Sequence, residues 1–298
     1  MPESMMLLIN PYAGRSVTRT ALGSAVHAFT SAGYAPAVYY TEGPGSAAQL
    51  AAGHGGDYPL LVCMGGDGTL SDTLSGLMEL PRERRPRVGY IPMGTANDVA
   101  TTLSLPMRQP GRAAELILQS EPLNYDVGQM LGQGYFSYIA AFGAFTAVSY
   151  KTNQELKRAL GHAAYVLEGI SSLSALRTYH IKAEYDDGEL EDDVIYGALS
   201  NAMSVGGMVK MSREMVNLSD GRFELILARK PKDAAELNAM VGSILSRSYD
   251  SPCLTVLHTS RVKFTFDEDV PWTRDGEDGG AHRSLELLCH RQAVELLC

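Results

Sequence analysis

The first 121 residues alternate short apolar runs with stretches in which apolar residues recur at helical spacing. Met5–Ile9 is a continuous apolar run, the pattern of a strand buried on both faces of a sheet. Apolar positions within Ala21–Phe29 then follow a helical period, and Gly33 is a stop signal. The same patterns predict strands at Val38–Thr41, Leu60–Met64 and Val88–Ile91, and helices at Ser46–Ala52, Leu70–Leu77 and Arg112–Gln119. Such alternation predicts an α/β layer with a mostly parallel sheet, whose ligands bind at the carboxyl ends of the strands.

After about residue 122 the pattern changes to short strands separated by turn residues. Asp-Gly pairs such as Asp220-Gly221 and Asp275-Gly276 are typical hairpin signals. Helical spacing returns only within Leu156–Leu173 and Asp233–Ser246. The predicted strands are Val127–Gln129, Phe136–Ala141, Tyr179–Tyr185, Val194–Ser200, Phe223–Ala228, Leu254–Leu257 and Val262–Phe266. We therefore expect an α/β domain over residues 1–121 and an antiparallel β-rich domain over residues 122–289.

Charge and composition exclude several classes of protein. The 298 residues carry a net charge of −9, which argues against a nucleic-acid-binding protein because such proteins present a basic surface. The four cysteines have no metal-binding spacing, and their pattern favours reduced thiols in the cytoplasm. The stretch Val127–Tyr150 is uncharged, but glycines and polar residues interrupt it, which favours sheet and turn over a membrane-spanning helix.

The strongest chemical signal is the hexapeptide Gly65–Leu70, which reads GGDGTL between a predicted strand and a predicted helix. Its glycines allow a tight turn and close approach of a ligand to the backbone. The free amides at the helix start suit a phosphate, but Asp67 would repel a phosphate unless a cation lay between them. The loop matches neither the Walker A pattern nor the dinucleotide-binding GxGxxG pattern. A structural strand–helix turn is the alternative interpretation.

Other candidate motifs are weaker when taken alone. Asn10–Gly14 follows the first strand and is compatible with an ordinary Asn-Pro turn. Gly94–Asp98 follows the fourth strand, where Thr95 suits either a phosphate or a helix cap. Asp275–Glu277 alone reads as a hairpin turn, and Asp220 as turn chemistry. The arginines within Arg82–Arg87 are compatible with a solvated loop or with contact to anionic lipid.

Taken together, these motifs resemble the diacylglycerol-kinase catalytic-domain family. The family has Asn-Pro-x-x-Gly, Gly-Gly-Asp-Gly-Thr, Gly-Thr-x-Asn-Asp and Asp-Gly-Glu in this order, as this chain does between residues 10 and 277. Its fold is shared with NAD kinases and 6-phosphofructokinases. The resemblance implies a Rossmann-like, phosphofructokinase-like α/β domain followed by an antiparallel β-sandwich, with the nucleotide in the cleft between them. It also implies that a last strand near residues 290–298 returns to the first domain.

The resemblance assigns roles to individual residues. The implied general base is Glu277, which would receive the proton of the attacking lipid hydroxyl. Asp67, Asp126, Asp275 and Glu277 form the implied catalytic set. Asp67 and Asp126 would hold a catalytic Mg²⁺ through water, Asp220 a structural Mg²⁺, and Asn97 and Asp98 the lipid head group. The implied nucleotide site comprises Asn10, Pro11, Tyr12, Ala13, Gly14, Arg15, Thr41, Gly65, Gly66, Asp67, Gly68, Thr69, Leu70, Ser71, Asp72 and Thr95.

The predicted function is therefore an ATP- and Mg²⁺-dependent lipid kinase that phosphorylates a lipid hydroxyl, with diacylglycerol as the leading substrate. We expect a cytoplasmic protein without a transmembrane segment, acting peripherally at the inner membrane surface; a homodimer is left open. Departures from the family pattern occur at Ser71, Asp72 and Thr101. Two alternatives remain at this stage: a non-catalytic lipid- or nucleotide-binding protein on this fold, and an NAD kinase.

Overall fold

The first half of the chain forms the predicted alternation of strands and helices. The computed structural model describes residues 2–13, 19–144, 177–205, 209–211 and 215–298. In the first part the elements are β1 (Glu3–Ile9), α1 (Arg19–Ser31), β2 (Tyr34–Tyr40), α2 (Ser46–His54), β3 (Leu60–Gly65), α3 (Asp67–Met78), β4 (Arg87–Pro92), α4 (Asp98–Thr102) and α5 (Pro110–Gln119). The short helix α4, which follows the Gly94–Asn97 loop, is an addition to the predicted elements.

The strands β1 to β4 pair in parallel in the order β2-β1-β3-β4. Alternate residues of β1 enter two different cores, which explains its uninterrupted apolar sequence. Leu7 packs in a cluster with Phe29 of α1 and Ile117 of α5, whereas Leu8 packs with Leu74 of α3 and with α2. Helices therefore cover both faces of the parallel strands, as the hydrophobic pattern predicted.

The second half of the described chain is mainly antiparallel. Its strands are β5 (Pro122–Met130), β6 (Gly134–Phe136), β7 (Ile139–Gly143), β8 (Tyr179–Tyr185), β9 (Gly188–Ser200), β10 (Ser204–Val205), β11 (Val209–Lys210), β12 (Phe223–Arg229), β13 (Leu254–Thr259), β14 (Arg261–Arg274) and β15 (Glu277–Leu297). The predicted strand Phe136–Ala141 is two strands, and the predicted helix Leu156–Leu173 lies outside the described residues. Helix α6 (Ala234–Ser246) begins where Asp233 accepts a hydrogen bond from the Glu236 amide. No helix in the described ranges is long and apolar enough to cross a membrane.

The parallel and antiparallel strands belong to one hydrogen-bonded network. Among the described residues, thirteen strands form a single mixed sheet, in which β15 connects the two parts. Near its end, Leu296 and Leu297 pair in parallel with Val88 and Gly89 of β4 on one side and antiparallel with β5 on the other, and the earlier part of β15 pairs with β14 and β5. The division into domains at residues 121/122, and the β-sandwich, remain predictions.

Helices α2 and α3 approach so closely that the contact requires glycine. A Cβ atom placed on Gly76 of α3 would lie 2.1 Å from the backbone oxygen of Ala48 in α2. By contrast, a Cβ atom on Gly23 in α1 would meet no atom within 4 Å. The packing at Gly76 positions α3, whose first turn carries Asp67.

We predict that Gly76→Ala lowers the free energy of unfolding by about 2 kcal/mol or more, because overpacking a tight contact strains the backbone. The matched control Gly23→Ala should be neutral or stabilising by about 0.5–1 kcal/mol, since alanine is the better helix former. Urea unfolding followed by circular dichroism measures both. Equal stability of the two variants would show that α2 and α3 are not in this close contact.

A carboxyl group is buried within the antiparallel part, on Glu224 of β12. Its side chain is only 1% exposed, and within the described residues Oε2 has no hydrogen-bond partner. His258 on the adjacent strand β13 places Nε2 3.8 Å from Oε1. Burial, with a smaller contribution from the nearby charge of Asp220, raises the pKa of Glu224 to about 9. The carboxyl is therefore protonated in the folded protein at neutral pH.

This raised pKa predicts a specific dependence of stability on pH. Between about pH 5 and about pH 9 the folded state keeps a proton that the unfolded state releases, so the stability of the wild type falls as pH rises. Glu224→Gln has no such proton, and its stability relative to the wild type should rise from pH 5 to pH 9. Urea unfolding at pH 5, 7 and 9 tests this. A constant difference between the two proteins would contradict it.

Candidate active site

The carboxyl ends of the parallel strands bring several predicted nucleotide residues together. Asn10 follows β1 and donates from its backbone N to the Met64 oxygen of β3 at 2.9 Å. Its Nδ2 donates to Thr69 Oγ1 at 3.0 Å. Thr41 is buried at the end of β2 and donates from N to the Ile9 oxygen at 2.9 Å. Three separate predicted motifs thus meet at one edge of the sheet.

The loops after β3 and β4 contact each other through glycine backbones. A Cβ on Gly94 would lie 2.7 Å from the Cα of Gly66, and one on Gly65 would lie 2.5 Å from the Thr69 Cβ. The Met93 amide donates to the Gly65 oxygen at 2.7 Å. Gly66 and Gly94 therefore allow the two loops to touch, and Gly65 leaves room for Thr69 within the first loop.

Asp67, the first residue of α3, links the two loops. Its carboxylate accepts hydrogen bonds from the backbone amides of Asp98 at 2.9 Å and Val99 at 3.3 Å, the first residues of α4. Among the residues that the structure describes, no side chain caps α3, whose N-cap residue is Gly66. The first amides of a helix lack hydrogen-bond partners within the helix. Asp67 provides partners for the first amides of α4, whereas the first amides of α3 remain available to an anion.

Negative charge accumulates around Asp67. Burial, together with the nearby carboxylates of Asp98 and Asp275, raises the pKa of Asp67 to about 6, although the two amide bonds oppose this shift. Burial also raises the pKa of Tyr90, and the charge of Asp67 acts in the same direction. Repulsion among neighbouring carboxylates is relieved when a cation binds between them. The charge distribution at this edge is therefore suited to a divalent cation.

The hairpin between β14 and β15 carries Glu277 to the same place. Its two turn residues, Asp275 and Gly276, have φ angles of 48° and 84°. The Asp275 carboxylate accepts from the amides of Ser137, Tyr138 and Ile139 at 2.5–3.0 Å and from Ser137 Oγ at 2.8 Å. Asp275 thus anchors the turn, and a Cβ on Gly68 would lie 3.7 Å from Glu277 Oε1. The exposed Glu277 carboxylate accordingly reaches the glycine loop.

Asp126 and Asp220 form a second group. Asp126 is fully buried, and its carboxylate accepts from the amides of Gly221 and Gln292, each at 2.6 Å. Burial raises the pKa of Asp126, with a further contribution from the charge of Asp220. Asp220 itself is exposed and accepts from the Arg222 amide at 2.9 Å. The role of Asp126 in a catalytic Mg²⁺ site remains a prediction.

The remaining predicted residues differ in accessibility. Asn97 and Asp98 are buried, with Asn97 in the left-handed region at φ 54°. Thr95 and Tyr12 are exposed. The Leu70 side chain packs in the core, so any contact of Leu70 with a nucleotide would involve its backbone. Pro11 is half-buried, Ala13 and Ser71 are buried, and Gly14 and Arg15 lie outside the described residues.

The residues present fit Mg²⁺ in its usual mode. Within the described ranges, no group of three or more His, Cys, Asp or Glu side chains is arranged to hold a metal ion. Mg²⁺, however, commonly binds through one or two carboxylates together with waters and substrate phosphates. Asp67 offers such a carboxylate beside open helix amides, and Asp220 offers one on an exposed turn.

The motifs did not indicate the positively charged side chain of Arg274, which lies near this site. Arg274 is half-buried, precedes Asp275 and pairs across the hairpin with Glu277. Its Nη1 donates to the Gln133 oxygen. Burial raises the pKa of Asp72, and both the hydrogen bond from the Gly45 amide and the charge of Arg274 oppose this shift. In the sequence, only the position of Arg274 beside Asp-Gly-Glu could have suggested that its charge acts near the site.

Two departures from the family pattern have local structural roles. Asp72 accepts from the Gly45 amide at 3.0 Å, which ties α3 to the loop after β2. Thr101 donates from Oγ1 to the Asn97 oxygen at 3.0 Å within α4. Both substitutions therefore support the loops that border the glycine motif.

Comparisons with known proteins identify the family. The model of the diacylglycerol kinase catalytic domain matches residues 4–130. The chain is 30% identical to a diacylglycerol kinase of Bacillus subtilis (strain 168), covering 98% of both chains. It is 31% identical to one of Staphylococcus epidermidis, covering 94% of this chain and 87% of the relative. The fold resembles that of a diacylglycerol kinase from Bacillus anthracis, with a TM-score of 0.79 and 23% identity over 99% of this chain and 96% of that one.

These matches extend over nearly the whole chain, including the antiparallel part beyond the family model. They agree with the mixed α/β fold. The prediction of a kinase acting on an alcohol group is confirmed at this level. The chain therefore belongs to the diacylglycerol kinase catalytic-domain family of lipid kinases.

Proposed function

We propose that this protein is an ATP- and Mg²⁺-dependent kinase that converts diacylglycerol to phosphatidic acid. The observation that carries the proposal is the convergence of Asp67, the open start of α3 and Glu277 at one edge of the sheet. The relatives of Bacillus subtilis and Staphylococcus epidermidis are diacylglycerol kinases, which supports diacylglycerol as the acceptor.

The nucleotide phosphates would bind the glycine loop and the first amides of α3. Aligned amides at a helix start favour phosphate by hydrogen bonding and by the helix dipole. Asn10 and Thr69, which bond each other, border this place, as does Thr41 at the end of β2. Asp67 would hold Mg²⁺, which neutralises phosphate charge as it develops in the transition state. The nucleotide would then lie where the parallel and antiparallel parts of the molecule meet.

Glu277 would orient the attacking hydroxyl. The lipid oxygen forms a bond to the γ-phosphorus while the bond from that phosphorus to the β–γ bridging oxygen breaks, so that ADP leaves. The hydroxyl proton passes to the Glu277 carboxylate. In a loose phosphoryl-transfer transition state deprotonation is late, so the main contribution of the carboxylate is to orient the hydroxyl. Asp275 fixes the turn from which Glu277 projects, through its four hydrogen bonds.

The acceptor lipid resides in a membrane, and we propose that the protein acts at the cytoplasmic membrane surface without crossing it. Asp98 would contact the lipid head group from the start of α4, next to Asp67. Asp220 would hold a structural Mg²⁺ at its turn. Asp126 would support this turn through the Gly221 amide.

The direct test is transfer of labelled phosphate from ATP, with Mg²⁺, to a panel of lipids in mixed micelles. We expect labelled phosphatidic acid from diacylglycerol, and no NADP⁺ when NAD⁺ is offered instead. ATP binding without transfer to any lipid would favour a binding protein on this fold. Formation of NADP⁺ would favour an NAD kinase.

Asp67→Asn should lower kcat by at least about 10³, roughly 4 kcal/mol in the barrier, because it removes the charge that holds the cation. Glu277→Gln should lower it by about 10²–10⁴, the usual contribution of a general base. The matched control is Asp278→Asn, an exposed neighbour whose Oδ1 only accepts the Gly280 amide within the turn. Wild-type turnover by a folded Asp67→Asn protein would rule out this mechanism.

A further inference from the structure

Two arginines before β4 bond the backbone of the last strand. Arg85 donates from Nη1 to the Ala293 oxygen at 2.8 Å. Its Nε and Nη2 donate to the oxygens of Leu80 and Met78, at the end of α3, at 3.1 and 3.2 Å. Arg82 donates from Nη2 to the Gln292 oxygen at 2.7 Å. These arginines thereby connect α3 to one short segment of β15.

That segment is a bulge opposite Asp126. In the antiparallel pairing of β15 with β5, His290 is opposite Val127 and Val294 is opposite Tyr125. Residues 291–293 therefore face the single residue Asp126. Gln292, at the centre of the bulge, has a φ of 49°, a conformation that a non-glycine residue adopts only when its surroundings hold it there.

The bulge supplies hydrogen bonds to Asp126 and to the turn that carries Asp220. The Gln292 amide donates to Asp126 Oδ1 at 2.6 Å, and Gln292 Nε2 donates to the Ser219 oxygen at 3.1 Å. Asp126 Oδ2 accepts from the Gly221 amide at 2.6 Å. A Cβ on Gly221 would lie 2.9 Å from Arg291 Cδ, so the bulge also packs directly on the turn.

We propose that Arg85, assisted by Arg82, is a positioning residue that holds the Gln292 bulge against Asp126 and thereby fixes the Asp220 turn for cation binding. The cation part rests on the proposed function, which gives Asp220 a structural Mg²⁺. The geometric part rests on the bonds themselves: without the arginines the bulge loses its outer partners, and Asp126 loses a fixed amide. A buried carboxylate that loses a donor no longer holds the opposite loop in one position.

The chain contains a matched control in the same loop. Arg84 pairs with Asp57 at 3.6 Å, and 57% of its side chain is exposed. In the described part of the chain it makes no hydrogen bond to the bulge. Arg84→Met therefore removes the same charge from the same loop without touching the proposed connection.

The experiment measures binding of Mn²⁺ alone, by electron paramagnetic resonance, to the full chain without nucleotide or lipid. Arg85→Met should weaken Mn²⁺ binding about tenfold, the effect of losing one hydrogen bond from a charged donor. Arg85→Lys and Arg82→Met should each weaken it less, and they keep the test available if Arg85→Met does not fold. Arg84→Met should bind as the wild type does, and Asp220→Asn should lose the Mn²⁺ bound at the turn.

Amide hydrogen exchange separates the two parts of the proposal. Exchange at Gly221 and Gln292 should accelerate in Arg85→Met and Arg82→Met but not in Arg84→Met. Unchanged exchange and unchanged Mn²⁺ affinity in both arginine variants would overturn the positioning role. If Asp220→Asn binds Mn²⁺ as the wild type does, the proposed metal role fails, whereas accelerated exchange would still support the connection through the bulge.

Discussion

The hydrogen bonds from the start of α4 to the Asp67 carboxylate are the interaction on which the site depends. They join the loops after β3 and β4, which the glycines allow to touch. By satisfying the amides of α4, Asp67 leaves those of its own helix α3 available. The bonds also hold a carboxylate near Asp98 and Asp275, where burial and repulsion raise the pKa of Asp67. The Asp67 side chain thus joins the two loops, lies beside the open amides of α3 and provides negative charge that favours binding of a cation.

A second constraint comes from the opposite end of the chain. Glu277 is more than two hundred residues from Gly68 in sequence, and the long pair β14–β15 carries it there. Asp275 fixes the tip of this hairpin with four hydrogen bonds, so the position of Glu277 depends on backbone amides of residues 137–139. These hydrogen bonds give Asp275 a role in fixing the Glu277 turn, and its catalytic role remains a prediction.

Local sequence was sufficient to predict the parallel strands and their helices, because strands buried on both faces, such as β1, have an unmistakable apolar pattern. The motif residues at the strand ends were also predictable, since topology brings such ends to one edge. Long-range relations were not. No local signal places Gln292 opposite Asp126, or Arg85 against Ala293, because a bulge alters the register without altering hydrophobic periodicity. The resemblance predicts that Asp126 and Asp67 belong to one site, which remains a prediction; it did not predict the hydrogen bonds that join Asp126 to Gly221 and Gln292.

The most direct test of the central claim is a crystal structure of the protein with Mg²⁺ and a non-hydrolysable ATP analogue. We predict that the phosphates lie against the amides of Gly66–Thr69 and that the cation contacts Asp67, directly or through water, on the side facing Glu277. A nucleotide bound elsewhere, for example at the amino ends of β1, β3 and β4, with Asp67 still bonded only to α4, would contradict the account.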